Sequence, residues 1–354
     1  MTAAASETET VKAIEAAFGI VQRDSNGVII AVDLANERAS ATDEILRSAL
    51  TLPNLKKLRV AGSTITPQTF AALQTQRELT ELFLKDLTVS DADLAAALKS
   101  LTQLRQLTLR RLPNISVCPA LPALRNLALI EITFSEKTFA SLSELKELAA
   151  LDLRNCSGLT IENYQTLNTL PKLIDLKIGG FSVNDDVLKT VKTIPRLTGL
   201  TIDDSLITPE TFTDYVARSP SAKTIQTLVL NRVSTLLDDN LTALRELPNL
   251  NRLTVCDLMV TGEFLGELAA DENKRPKLKT LSLRKTLLTS EGAAFLVKYK
   301  ELTTLDLSFT NFDGDIAKAV IQLPALTSLN LQGCQISDET LNVLKTNKAL
   351  QIKK

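Results

Sequence analysis

The amino-acid sequence predicts an α/β solenoid, a curved horseshoe with a parallel sheet on its concave face and helices on its convex face. Three observations predict it. An LxxLxL spacing recurs along almost the whole chain, residues that start helices return at one position behind it, and acidic residues crowd the turn that follows. Self-similarity at a period of about 20–30 residues is the mark of a repeat architecture.

The segment LTTLDLSFTNF, Leu302 to Phe312, shows why the spacing mixes steps of three and two. Leucines sit at offsets 0, 3 and 5, and Thr310 and Phe312 at offsets 8 and 10. Offsets 3 and 5 belong to a short strand, whose alternate side chains point one way. Offset 0 lies in the turn entering that strand, and offsets 8 and 10 in the turn leaving it. All of them face one interior, so the chain coils. A single coil cannot shelter its own leucines, and its neighbours close the core.

Taken in order, residues 8–18 read as a short helix. Ile20–Val21 and Val28–Ile30 flank DSNG, whose Asn26–Gly27 is a strong hairpin-turn signal. Residues 1–28 are thus predicted as an N-terminal cap, and 29–354 as one solenoid of about 13 repeats that includes a C-terminal cap. The first copy, Ile29–Val32–Leu34, is degenerate. Twelve regular copies start at Leu55, Leu79, Leu104, Leu124, Leu148, Leu173, Leu197, Ile225, Leu250, Leu278, Leu302 and Leu326, at intervals of 20 to 28. Offset 11 holds Thr66, Ser90, Ser135, Asn184, Thr208, Thr261, Thr289, Asp313 and Ser337, so nine of the 12 place a helix N-cap type at one register. Pro67 and Pro209 follow at the first helical position, where proline is tolerated. Asp91, Asp93, Asp185, Asp186 and Glu291 suit the positive end of a helix. Leu341, Val343 and Leu344 read as a last helix, and ALQIKK as a stub of strand with Lys353 and Lys354 blunting its edge.

With these residues in register, the chain resembles the leucine-rich-repeat family over residues 28–352. The copies near 24 residues look most like the ribonuclease-inhibitor-like and bacterial classes, with a helix in each repeat. Three features depart from that pattern. Offset 8 carries no asparagine in the regular copies, so the turn's backbone must be satisfied another way; Cys156 and Cys334 fit the family's slot there as packing residues. The copy from Leu104 spans 20 residues and carries Pro113, Pro119 and Pro122, too short and too interrupted for a full helix. The copies from Leu197 and Leu250 hold four extra residues each, expected in helix-to-strand loops, in YVARSPSAKT and ADENKRPKLK.

Composition removes several function classes. Net charge is −1, which argues against a nucleic-acid partner. Histidine is absent, taking with it the commonest general base and metal ligand. The four cysteines, Cys118, Cys156, Cys256 and Cys334, form no CxxC pair and suit a reducing compartment. With no export signal visible in MTAAASETETVKAIEAAF, a cytoplasmic site is favoured, the alternative being an exported or lipid-anchored protein whose signal has been removed. No run of about 18 apolar residues occurs to span a membrane.

No phosphate-cradling, zinc, nucleophile-elbow or dinucleotide motif is present, and Gly179–Gly180 lies at a strand exit. Asp152, Asp175, Asp203 and Asp204 are the carboxylates that could meet on the inner face, and Cys256 falls at offset 6 without a histidine to activate it. An open sheet offers them no water-excluding pocket, so no catalytic, cofactor-binding or metal-binding residue is expected.

Offsets 2, 4 and 6 project from the inner face. Lys57, Arg59, Lys85, Arg110 and Arg154 gather there as a basic band around Phe83 and Ile130, two apolar residues with no core role in this register. These seven are the expected partner-binding residues. The resemblance implies a non-catalytic scaffold that binds another protein through its concave face; the oligomeric state stays open, with a monomer favoured. The alternatives are a structural spacer of the cell envelope, and a polyanion binder using the basic band.

Overall fold

The computed structural model describes residues 3–39, 41–116, 121–135 and 142–354. The chain divides into two compact units, Met1–Leu173 and Ile174–Lys354.

The first unit opens with helix Ala3–Ala16, then strands β1 (Ile20–Arg23) and β2 (Ile29–Leu34), which pair antiparallel. The turn between them is held by Asp24, whose carboxylate accepts the N–H groups of Asn26 and Val28, while Gly27 takes a φ of 80°. Five strands follow in parallel and in chain order. They are β3 (Lys57–Ala61), β4 (Glu81–Lys85), β5 (Gln106–Arg110), β6 (Asn126–Ile130) and β7 (Ala150–Arg154). The second unit stacks eight parallel strands, again in chain order. They are β8 (Asp175–Gly179), β9 (Gly199–Asp203), β10 (Thr227–Asn231), β11 (Arg252–Cys256), β12 (Thr280–Ser282), β13 (Thr304–Asp306), β14 (Ser328–Asn330) and β15 (Gln351–Lys353).

The leucines of the spacing make the core. Leu302, Leu305 and Leu307 are fully buried, as are Leu278, Leu281 and Leu283 to within 1%. Offsets 2, 4 and 6 alternate outward from them, leaving one face open on strands such as β4, β5 and β6, although every residue of β9 is buried.

Seven of the nine expected N-caps accept a backbone N–H at a helix start, namely Thr66, Ser90, Asn184, Thr208, Thr289, Asp313 and Ser337. Thr261 does not. Helix Glu263–Ala269 starts one residue later, at Gly262 in a left-handed conformation, because Asp238 of the previous repeat takes the Thr261, Gly262 and Phe264 N–H groups at 2.7, 3.0 and 3.1 Å. Ser135 precedes residues outside the description.

Asp238 exemplifies what replaces the missing asparagine ladder. In four repeats the first residue of the helix is an aspartate that reaches across to the next repeat. Asp43 binds the N–H and hydroxyl of Thr66 at 2.8 and 2.6 Å, Asp185 those of Thr208 at 2.7 and 2.8 Å, and Asp91 those of Ser116 at 2.9 and 2.8 Å. Offset 8 adds contacts of its own. The Cys156 and Cys334 thiols donate to the carbonyls of Leu129 and Leu307, and the Thr286 and Thr310 hydroxyls to those of Leu283 and Leu307.

Offset 8 does not always point inward. Phe181 is 76% exposed and Ser63 is exposed too. Each follows a glycine, Gly180 at φ 98° and Gly62 at φ 148°, whose backbone turns the next side chain out. The insertion after Leu197 lengthens helix Pro209–Arg218 to ten residues and adds a 3-10 turn, Pro220–Lys223, rather than making a loop. The insertion after Leu250 does form a non-helical stretch, residues 270–279. In the copy from Leu104, the described residues between β5 and β6 hold no helix, and Pro119 falls outside the description.

Candidate functional site

The open strand face of the first unit carries the only aromatic side chain among the outward positions of β3–β7, Phe83. Parallel pairing in register sets Arg59 beside it on β3 and Thr108 beside it on β5. The Arg59 guanidinium lies over the ring, 4.0 Å from its centroid, and its Nε donates to Asp33 of β2 at 3.0 Å. Phe83 is thus a half-buried ring with a cation stacked on it, and the cation is oriented by a carboxylate one strand farther. Around them lies a depression of about 300 Å³. Ile20 and Gln22 of β1 wall one side, and Lys57, Glu81, Gln106 and Thr108 line the rest. The β1–β2 hairpin therefore contributes to the site, because β1 supplies part of this recess.

A second row lies along the strand ends. Lys85 and Arg110 are register neighbours, as are Arg110 and Ile130, and the Glu131 N–H donates to the Arg154 carbonyl. Each cation of the expected basic band has an acidic partner. Lys57 pairs with Glu81 at 2.7 Å, Arg110 with Glu131 at 2.7 Å, Arg154 with Asp152 at 2.8 Å, and Lys85 approaches Asp86 at 3.8 Å. Arg111 bridges Asp86 and Glu131 at 2.7 and 3.4 Å. The hydrogen bond from Arg111 is the main reason the Asp86 carboxyl lies below its ordinary 3.8, against the opposing effect of burial. The face is charge-balanced, with both signs alternating over short distances.

Comparison with known proteins follows from this geometry. Residues 276–336 match the leucine-rich-repeat family, and the register they carry, with offsets 0, 3 and 5 buried, runs from β3 to β14. The chain carries leucine-rich repeats. The match assigns no subclass within the family. Solved structures similar to this leucine-rich-repeat protein include an internalin of Listeria monocytogenes, at 18% identity and a TM-score of 0.48, covering 98% of this chain and 94% of that one. Another is a leucine-rich-repeat protein of Leptospira interrogans, at 18% identity and a TM-score of 0.43, covering 87% and 80%. No curated protein matches.

Of the seven residues read from the sequence, Lys57, Arg59 and Phe83 line the recess of this leucine-rich-repeat protein, while Lys85, Arg110, Ile130 and Arg154 make the second row. The reading missed Asp33, Ile20 and Gln22, which belong to the degenerate first copy and the cap. Asp33 was legible in principle, since it sits at offset 4 from Ile29. It also missed Asp86 and Glu131, which stand at offset 7 and reach the face through left-handed backbone, φ 57° and 56°. Asp152 is taken by Arg154, Asp203 accepts from Asn231 and Arg232 at 2.7 Å each, and Asp204 lies in the left-handed turn. The Cys256 thiol is pushed up by burial, so the reactive thiolate is scarcer than in a free cysteine. Cys156, Cys256 and Cys334 are free thiols. Among the described residues no helix is long and apolar enough to cross a membrane, and no acidic or cysteine cluster has the geometry to hold a metal ion.

Proposed function

We propose that this leucine-rich-repeat protein is a non-catalytic scaffold whose strand face in the first unit binds another protein, with the recess at Phe83 as its anchor point. The observation that carries the reading is the Arg59–Phe83 stack within a recess walled by the cap hairpin. Aromatic and arginine side chains dominate the energetics of protein interfaces, particularly where a pocket excludes water from them. The recess has room for one or two side chains of a partner, and its rim offers carboxylates and cations in alternation. Such a rim suits a partner of mixed charge and gives register rather than bulk attraction. A polyanion would need unneutralised cations, and here each has a carboxylate beside it. Protein binding is also what repeat solenoids commonly do with an extended face.

Affinity capture from the source cell, quantified by mass spectrometry, tests this reading. A partner enriched by the wild type and lost with Phe83→Ala and with Arg59→Glu, but retained with Met259→Asp in the second unit, is the expected result. An identical set of captured proteins for wild type and Phe83→Ala would remove the recess as the binding site.

A further inference from the structure

We propose that the strand-exit edge of the second unit docks a second copy of this chain about a two-fold axis. Two parallel rows of side chains carry the inference. The first is apolar. At offset 9, Leu206, Met259 and Leu287 are 57%, 60% and 51% exposed; Phe181 at offset 8 and Phe309 at offset 7, the latter under the Arg284 guanidinium, lie in the repeats on either side, at 76% and 48%. Offset 9 in the first unit holds Thr64, Thr88, Pro113, Thr133 and Ser157. Single exposed apolar residues are ordinary, but three at one offset within four consecutive repeats, interrupted only by Ser234, form a contact patch. The turns that carry them are laterally bonded, as where the Leu206 N–H donates to Val183 and that of Leu287 to Val260, both at 3.0 Å.

The second row says what covers the first. Offset 7 reads Asp204, Arg232, Asp257, Lys285, alternating in sign along four repeats. Read backwards, the order is cation, anion, cation, anion. An antiparallel second copy therefore sets Asp204 against Lys285 and Arg232 against Asp257, twice each, with the axis between Arg232 and Asp257. The apolar row obeys the same reversal, because Leu206, Ser234, Met259, Leu287 has leucine at both ends. Self-complementarity under reversal is what a two-fold interface requires. The alternation also serves within one chain, where Lys285 pairs with Asp257 and Arg232 with Asp203, both at 2.7 Å. The half-exposed Lys285–Asp257 pair contributes little, whereas Asp203 is buried beneath Arg232. In the dimer the charges set orientation, while the apolar row supplies the affinity. A row of alternating sign holds no excess of cations for an anionic lipid surface. This reading replaces the monomer favoured from the sequence and is independent of the recess in the first unit.

Sedimentation velocity on the full chain over a wide concentration range tests it, with circular dichroism and Tm as folding controls. The wild type is expected to dimerise reversibly, and Met259→Asp or Leu287→Asp to sediment as a monomer with unchanged dichroism and Tm. Arg232→Asp alone should weaken the dimer about tenfold, and adding Asp257→Arg should restore it, since the swapped pair is again complementary. A wild type that stays monomeric at every concentration overturns the proposal. So does a dimer indifferent to both apolar substitutions, or an edge that binds phosphatidylserine vesicles while the chain stays monomeric.

Discussion

One backbone position repeats an unfavourable conformation along the chain. Offset 7 is left-handed in each regular copy. Gly62, Gly180 and Gly333 accept this easily, but Asp86, Arg111, Glu131, Asn155, Asp204, Arg232, Asp257, Lys285 and Phe309 do so at φ between 50° and 59°. The reason lies in the turn that must leave the strand and bring offset 8 back toward the core, and lateral bonds such as Asp86 N–H to Arg110 hold it. An L side chain pays about 1–2 kcal/mol for such backbone, least for asparagine and aspartate and most for β-branched residues. At exposed Asn155, Asn155→Val should therefore cost about 1–2 kcal/mol, whereas Asn155→Gly should shift stability by less than about 0.5 kcal/mol, both read from denaturant midpoints. Gly179 is constrained differently. A Cβ there would stand 2.3 Å from the Asp203 carbonyl oxygen, so the neighbouring strand can approach only if this residue has no side chain.

The element that recurs is the helix start, and its aspartate sets a pH dependence. The Thr66 hydroxyl and then the Thr66 N–H hold the Asp43 carboxyl below its ordinary 3.8. Burial would raise that of Asp185, but the Thr208 N–H and hydroxyl outweigh it and lower it. A group depressed in the folded state contributes stability above the unfolded value, near 3.8, and loses it as pH falls through the lower folded value. Melting curves from pH 6 downward should thus show Tm falling below pH 4, and Asp185→Asn should start lower and fall less steeply. A parallel fall in both proteins would disprove the linkage to Asp185. Asp238 carries more, since it holds three backbone N–H groups. Asp238→Ala is expected to cost about 2–3 kcal/mol, and Thr289→Ala, which removes the N-cap on the Gly292 N–H, about 1 kcal/mol. Equal losses would mean that the lateral aspartates are no more than ordinary caps.

Across a whole unit, stability is carried by contacts between adjacent coils, so damage should stay local. Leu305→Ala, at a fully buried site, is expected to cost about 2–5 kcal/mol. Hydrogen exchange should rise in β12, β13 and β14 and remain unchanged at β9, because each repeat contacts only its neighbours. Uniform loss of protection through the second unit would show that its repeats unfold as one. Binding should separate from stability in the first unit. Phe83→Ala leaves the leucines beneath it untouched and should keep its Tm within a few degrees while losing the captured partner.

Much of this architecture was legible in the chain because burial is periodic. A leucine at offsets 0, 3 and 5 has no other place to go, and a Thr, Ser, Asn or Asp before an acidic turn has a local reason to start a helix. Thr261 escaped that logic because Asp238, 23 positions earlier, takes the Phe264 N–H that Thr261 would otherwise cap. The site was legible as a set of outward positions, and Phe83 and Arg59 as neighbours within it. What only the tertiary structure decided was which partners those positions meet. Asp33, Glu131 and the cap hairpin come to the basic residues from other coils, and offset 8 faces water where Gly62 and Gly180 open φ to 148° and 98°. Local energetics set the period, but the pairing of charges and the exposure of Phe181 depend on how one coil is laid against the next.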